Sequence, residues 1–247
     1  AASDVYKRQL LEREVAGAAS AVLLIPADRE ALGDAVSAAA GKTTLVTVET
    51  DMTAWGAAAS ITMDHQALGE ALGAAALNGV PAGGTVLLLD SLPGDNGIRE
   101  RMEAAKAVLE REGRQVRVYK WDPDTTSLPD ILRIERPRAI IAFEAAALAD
   151  IAELSRGEDT FPLLYGCGST SSIAAALEKG RVTAITAVNV FSTGYLAVEA
   201  AAALARHEDW TAASPVAFSI VRQETMYDSD TVSYTHLRAH ETRSNLV

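Results

Sequence analysis

Short apolar runs alternate along this chain with longer stretches in which apolar residues recur every three or four positions. Residues 85–112, TVLLLDSLPGDNGIRERMEAAKAVLERE, show the pattern most clearly. Residues 85–89 are nearly continuous in apolar side chains, as in a strand buried on both faces of a parallel sheet. Ser91, Pro93, Gly94, Asp95, Asn96 and Gly97 then form a loop rich in turn formers. Ile98, Met102, Ala105 and Leu109 follow at the spacing of one helical face. A strand–loop–helix unit of this kind places its loop at the carboxyl end of the sheet, where open α/β folds bind ligands.

The same alternation runs through the rest of the chain. It predicts a helix over 10–19, a strand over 21–25, and a helix over 29–40 with Asp28 as N-cap and Gly41 as its stop. A strand over 44–48 follows, then a loop and strand over 55–61, and a helix over 66–78 capped by Asp64. Further strands are expected at 115–119, 139–143, 161–165, 184–188 and 215–221, with helices over 127–134 and up to Ala205. The alternation is strand–helix throughout, as a parallel α/β sheet requires. Residues 184–205 form the most apolar long window, with Glu199 its only charge. Asn189, Ser192, Thr193 and Gly194 interrupt it, so it reads as strand, crossing and helix and not as a membrane span.

Composition narrows the function. At 247 residues the chain can bury a large core. A formal net charge of −11 argues against a nucleic-acid surface of its own. The single cysteine, Cys167, excludes an intrachain disulfide and leaves the redox compartment open. Gly41-Lys42-Thr43 is no phosphate loop, because position 36 is Val36 and a helix precedes the glycine where a strand is needed. Cys167 stands at a strand end, but a nucleophile needs a base. None of the four histidines is expected beside it, so a small buried thiol is the reading and no enzyme is expected. His236 and His240 have helical metal-ligand spacing but lie in an aperiodic tail; neither a metal nor a cofactor is expected. His65 reads as a surface or capping residue. Arg99 and Arg101 sit at the start of a helix, where the macrodipole disfavours positive charge, and Arg101 in particular calls for a role.

On the strand 85–89, the Pro93-Gly94 loop and the Arg99-x-Arg101 pair, the chain resembles the type I periplasmic-binding-protein fold in its sugar-binding branch. Pro26-Ala27-Asp28, Trp121-Asp122 and the closing RQETMYD at 222–228 extend the likeness over residues 9–228. The resemblance implies an α/β protein of two Rossmann-like lobes, each with a parallel sheet, joined by a three-segment hinge. The N-terminal lobe would comprise 10–62 plus 189–212, and the C-terminal lobe 63–188 plus 213–228, with crossings near Met63, Asn189 and Ala213. The family's first strand, helix and second strand, roughly 40–50 residues on typical element lengths, are not found. A truncated chain with an incomplete first lobe and an open sheet edge is therefore expected. Residues 1–9 and 231–247 resemble translated sequencing-adapter read-through and are expected to be artefactual tails.

The resemblance also implies a ligand site. Glu49 stands where the family has its ligand-binding aspartate, with Asp51 as an alternative partner. Arg101 matches the arginine that hydrogen-bonds the ligand, and Trp121 the aromatic that stacks on its ring. Glu144 replaces an asparagine, Cys167 an aspartate, and Asn189 keeps the amide of a Gln-Asn pair. This set departs from the one expected for a standard pentose or hexose, and two carboxylates beside one arginine suit an amino-bearing or cationic ligand. The implied function is that of an extracytoplasmic solute-binding protein of an ABC importer, in the periplasm or as a cell-surface lipoprotein. It would be a monomer that closes on a sugar-like solute and is read by its permease, with no direct contact to nucleic acid. The alternatives are the effector-binding domain of a lactose-repressor-type regulator and a ligand-sensing ectodomain.

Overall fold

The computed structural model describes residues 2–158, 160–211, 215–228 and 231. His236, His240 and the crossing expected near Ala213 lie outside them. In chain order the elements begin α1 (Ala2–Ala16), β1 (Ala21–Leu24), α2 (Arg29–Ala40), β2 (Thr44–Glu49), a 3₁₀ turn (Thr53–Trp55), β3 (Ala59–Thr62) and α3 (His65–Leu77). They continue with β4 (Thr85–Asp90), α4 (Asn96–Arg111), β5 (Gln115–Lys120), α5 (Leu128–Glu135), β6 (Ala139–Ala142) and α6 (Ala145–Leu154). Last come β7 (Leu163–Cys167), α7 (Ser171–Glu178), β8 (Ala184–Val188), α8 (Val190–Ala205) and β9 (Phe218–Arg222). The chain divides into two units, the first made of Ala1–Asp64, Gly94–Gly97 and Val190–Ala217, the second of His65–Pro93, Ile98–Asn189 and Phe218–Val247.

The first unit holds a three-stranded parallel sheet in the order β1-β2-β3. Leu45 of β2 joins Leu11, Leu32, Val36 and Met52 in one buried cluster, and α8 packs on all three strands. Asp28 caps α2 as its sequence position predicts, its Oδ1 accepting from the Glu30 and Ala31 N–H groups at 2.9 and 3.1 Å. The helix expected over 10–19 instead starts at Ala2 and stops at Ala16. Residues 2–16 contain no glycine or proline to break it, and Leu11 and Val15 dock one face on the α2 cluster.

The second unit holds a six-stranded sheet in the order β5-β4-β6-β7-β8-β9. Val86, Leu87, Leu88 and Leu89 of β4 are all fully buried. Leu87 and Leu89 belong to one apolar cluster, and Val86 and Leu88 to another, so the run in the sequence reflects a strand covered on both faces. Two strands differ from expectation. β7 starts at Leu163, two positions late, because Pro162 has no N–H to give to the ladder; the Leu163 N–H opens it with a bond to the Arg138 carbonyl. The final strand starts at Phe218 and pairs antiparallel with β8, Ala184 opposite Arg222. An otherwise parallel sheet thus carries one antiparallel edge, a common arrangement in doubly wound folds.

Candidate functional site

In each unit the candidate residues gather at the carboxyl ends of the strands. In the first unit Glu49 is the last residue of β2 and adopts φ +70°, which L-residues other than Asn and Asp rarely visit. The Thr50 N–H donates to the Val48 carbonyl at 2.9 Å, closing a γ-turn of the strained hand around Glu49. Thr50 is buried, and its hydroxyl donates to the Pro26 carbonyl at 3.0 Å, which anchors the turn. Asp51 is exposed and its Oδ1 accepts from the Thr53 N–H at 2.8 Å, starting the 3₁₀ turn. Strain of this kind survives where surroundings enforce it and clusters at functional sites. Glycine has no Cβ penalty there, so Glu49→Gly is expected to be more stable than Glu49→Ala by about 1 kcal/mol, read from paired urea denaturations. Because both variants lose the carboxylate, the difference isolates the backbone.

In the second unit Arg101 is held from two sides. Its Nε–H donates to His65 Nδ1 at 3.0 Å, and Nη1 donates to the Phe143 carbonyl at 3.1 Å. The backbone is held as well. A Cβ at Gly69 would sit 2.1 Å from the Arg101 carbonyl oxygen, and one at Gly73 would sit 2.9 Å from that of Ala105. His65, Gly69 and Gly73 lie one turn apart on α3, and Arg101 and Ala105 one turn apart on α4. The two helices therefore meet along a seam of absent side chains, with His65 at the end where the guanidinium lies.

The remaining candidates are built into their surroundings. Glu144 caps α6, its Oε1 accepting from the Ala146 N–H at 3.1 Å and its Oε2 from the Ala147 N–H at 3.2 Å. Glu144→Ala should cost about 1 kcal/mol of stability, measurable as a lower urea midpoint, and Glu144→Asp should recover most of it. Trp121 is 5 % exposed and packs in the cluster of Leu87, Leu89 and Leu128; its Nε1 finds no acceptor among the described residues. Cys167 is the last residue of β7, 7 % exposed, and accepts a hydrogen bond from the Thr186 hydroxyl at 3.1 Å. Asn189 is half-buried between β8 and α8. At the end of β4, burial pushes the Asp90 carboxyl up while Lys120 beside it pulls it down. Among the described residues no group of three or more His, Cys, Asp or Glu is arranged to hold a metal ion. No helix among them is long and apolar enough to cross a membrane.

Sequence reasoning missed His65, whose ring is 6 % exposed, and the Phe143 carbonyl. The fourfold spacing of His65, Gly69 and Gly73 was the available signal for the first. The second is a main-chain group, to which a residue-type pattern is blind.

Two parallel-dominated α/β units, each with polar side chains at the carboxyl edge of its sheet, define a ligand-binding protein of the type I periplasmic-binding fold. Residues 6–209 match the periplasmic binding protein domain family, and the chain belongs to that family. No curated protein matches it. Among solved structures it is similar to a carbohydrate transporter solute-binding protein from Agrobacterium radiobacter in complex with D-arabinose, with TM-score 0.85 and 18 % identity over 92 % of this chain and 82 % of that one. An ABC transporter solute-binding protein from Agrobacterium vitis with bound D-fucose gives 0.84 and 15 %, covering 92 % and 83 %. A carbohydrate transporter from Acidothermus cellulolyticus in complex with myo-inositol gives 0.82 and 15 %, covering 95 % and 84 %.

Proposed function

We propose that this protein is the extracytoplasmic solute-binding component of an ABC importer and that it binds a sugar or sugar-like molecule. The observation that carries the reading is Arg101, a guanidinium fixed by His65 and Phe143 at the carboxyl edge of a parallel sheet. Arginine presents donors in a planar fork that matches paired acceptors, and a fixed fork loses little freedom on binding. Family membership and the sugars bound to its structural neighbours support the same reading.

The candidate solute contacts are Arg101 and Asn189 in the second unit and, taken separately, Glu49 and Asp51 in the first, each named from its place near the carboxyl end of a strand. Trp121, Glu144 and Cys167 act behind them, as a packed ring, a helix cap and a buried thiol. As the family resemblance implies, the protein is a monomer whose solute-bound form is read by a permease. The ligand screen includes polyols and amino-bearing sugars beside simple pentoses.

A thermal-shift screen against D-arabinose, D-fucose, D-tagatose, myo-inositol and amino sugars tests this. A stabilising hit that disappears in Arg101→Ala is the expected result. A folded protein that responds to none of them defeats the sugar reading.

A further inference from the structure

We propose that His65 is the positioning residue for Arg101. Its imidazole fixes the angle of the guanidinium without taking part in the chemistry of binding. The inference rests on the reading that Arg101 contacts the solute.

His65 is buried at the first position of α3, where a polar ring requires a hydrogen-bond partner. Arg101 Nε can only donate, so His65 Nδ1 must carry no proton, and the ring is neutral with its hydrogen on Nε2. The acceptor for Nη1, the Phe143 carbonyl, is also neutral. An imidazole nitrogen and a peptide oxygen thus orient the fork from two directions.

The geometry is also redundant in a way that ordinary packing does not need. The Arg101 backbone is seated against Gly69, its Nε against His65 and its Nη1 against Phe143. Two of these three supports come from one face of α3, a single turn apart. Together they define the plane of the guanidinium. Ordering a long, rotamer-rich side chain normally costs binding free energy, and holding it in advance removes that cost. Removing the acceptor should therefore weaken binding by about 3- to 10-fold, well short of what removing Arg101 itself does.

The test uses the full chain with His65→Leu, which removes the acceptor, and His65→Asn, whose Oδ1 can stand where Nδ1 stood. Two readouts are followed: the Arg101 Nε–H resonance in ¹⁵N-edited NMR spectra, and the Kd for D-arabinose. In His65→Leu the Nε–H signal is expected to lose its protection from solvent exchange and the Kd to rise about 3- to 10-fold. His65→Asn is expected to restore both. In an Arg101→Ala background His65→Leu should have no further effect on Kd. If Arg101 Nε–H remains protected and Kd remains unchanged in His65→Leu, the proposal is overturned. If D-arabinose fails to bind the wild-type protein, the solute reading fails for that sugar, and the NMR signal alone decides whether His65 holds Arg101.

Discussion

Arg101→Ala is expected to weaken solute binding by at least about 30-fold. Truncating one partner of a buried, charge-assisted hydrogen bond costs about 2–5 kcal/mol, and about 2 kcal/mol corresponds to that factor. The fold should survive, at a price in stability. The variant strands two acceptors, His65 Nδ1 and the Phe143 carbonyl, each of which bonds Arg101 in the native protein. Leaving such a group without a partner costs about 1–3 kcal/mol when it is fully buried, and less where water reaches it, as at these part-buried bonds. Arg101→Lys separates charge from shape, since it keeps the positive charge and loses the planar fork, and only partial recovery of affinity is expected. Titration calorimetry with the solute found by thermal shift, beside urea denaturation of each variant, provides both numbers. Wild-type affinity in Arg101→Ala would remove this arginine from the binding site.

Phe143→Ala should be the most destabilising single change considered for this chain, at about 3–5 kcal/mol. The side chain is fully buried, in the cluster that includes Leu88, Ile98, Ile141 and Tyr165. Its neighbours come from strands and helices that pack on it from several directions, so the cavity left by truncation cannot close without moving a strand. Typical domains retain only about 5–15 kcal/mol of stability, which makes this a large share. The expected result is a much lower urea midpoint with an unchanged slope. Phe143→Leu, which retains most of the volume, should lose far less. A secondary effect follows from the main chain. The Phe143 carbonyl accepts from Arg101, so the alanine variant should also bind solute less tightly wherever it remains folded.

Much of the fold was legible because its strands are buried on both faces and its helices are amphipathic. The run at 85–89 and the fourfold spacing after it marked β4 and α4 correctly, and Asp28 announced the start of α2. The failures were local. Pro162 moved the start of β7, and the antiparallel direction of β9 was not legible because an apolar run carries no sign of strand direction. At the site, residue type was a weaker guide. Glu144 and Cys167 stand at strand ends, yet their polar atoms are engaged by the Ala146 and Ala147 amides and by Thr186. Resemblance carried a position to them but could not show what the neighbouring backbone would ask of the side chain. His65 shows the reverse. A lone histidine after an aspartate looked like surface, and only the packing of α3 on α4 revealed its partner.

The α8 helix has a consequence for how the protein is made. It packs on all three strands of the first unit's sheet, yet it follows them only after the whole of β4–β8 has been synthesised. At roughly 5–20 residues per second, a ribosome needs on the order of ten seconds to travel from Thr62 to Val190. During that interval β1–β3 have emerged without the helix that shields them, while the second unit is already gathering its own strands. The nascent chain therefore presents β4–β8 before its first sheet is covered, and β9 joins the second sheet only after α8 has been made. Factors that bind exposed apolar segments during translation have their longest opportunity on residues 21–62.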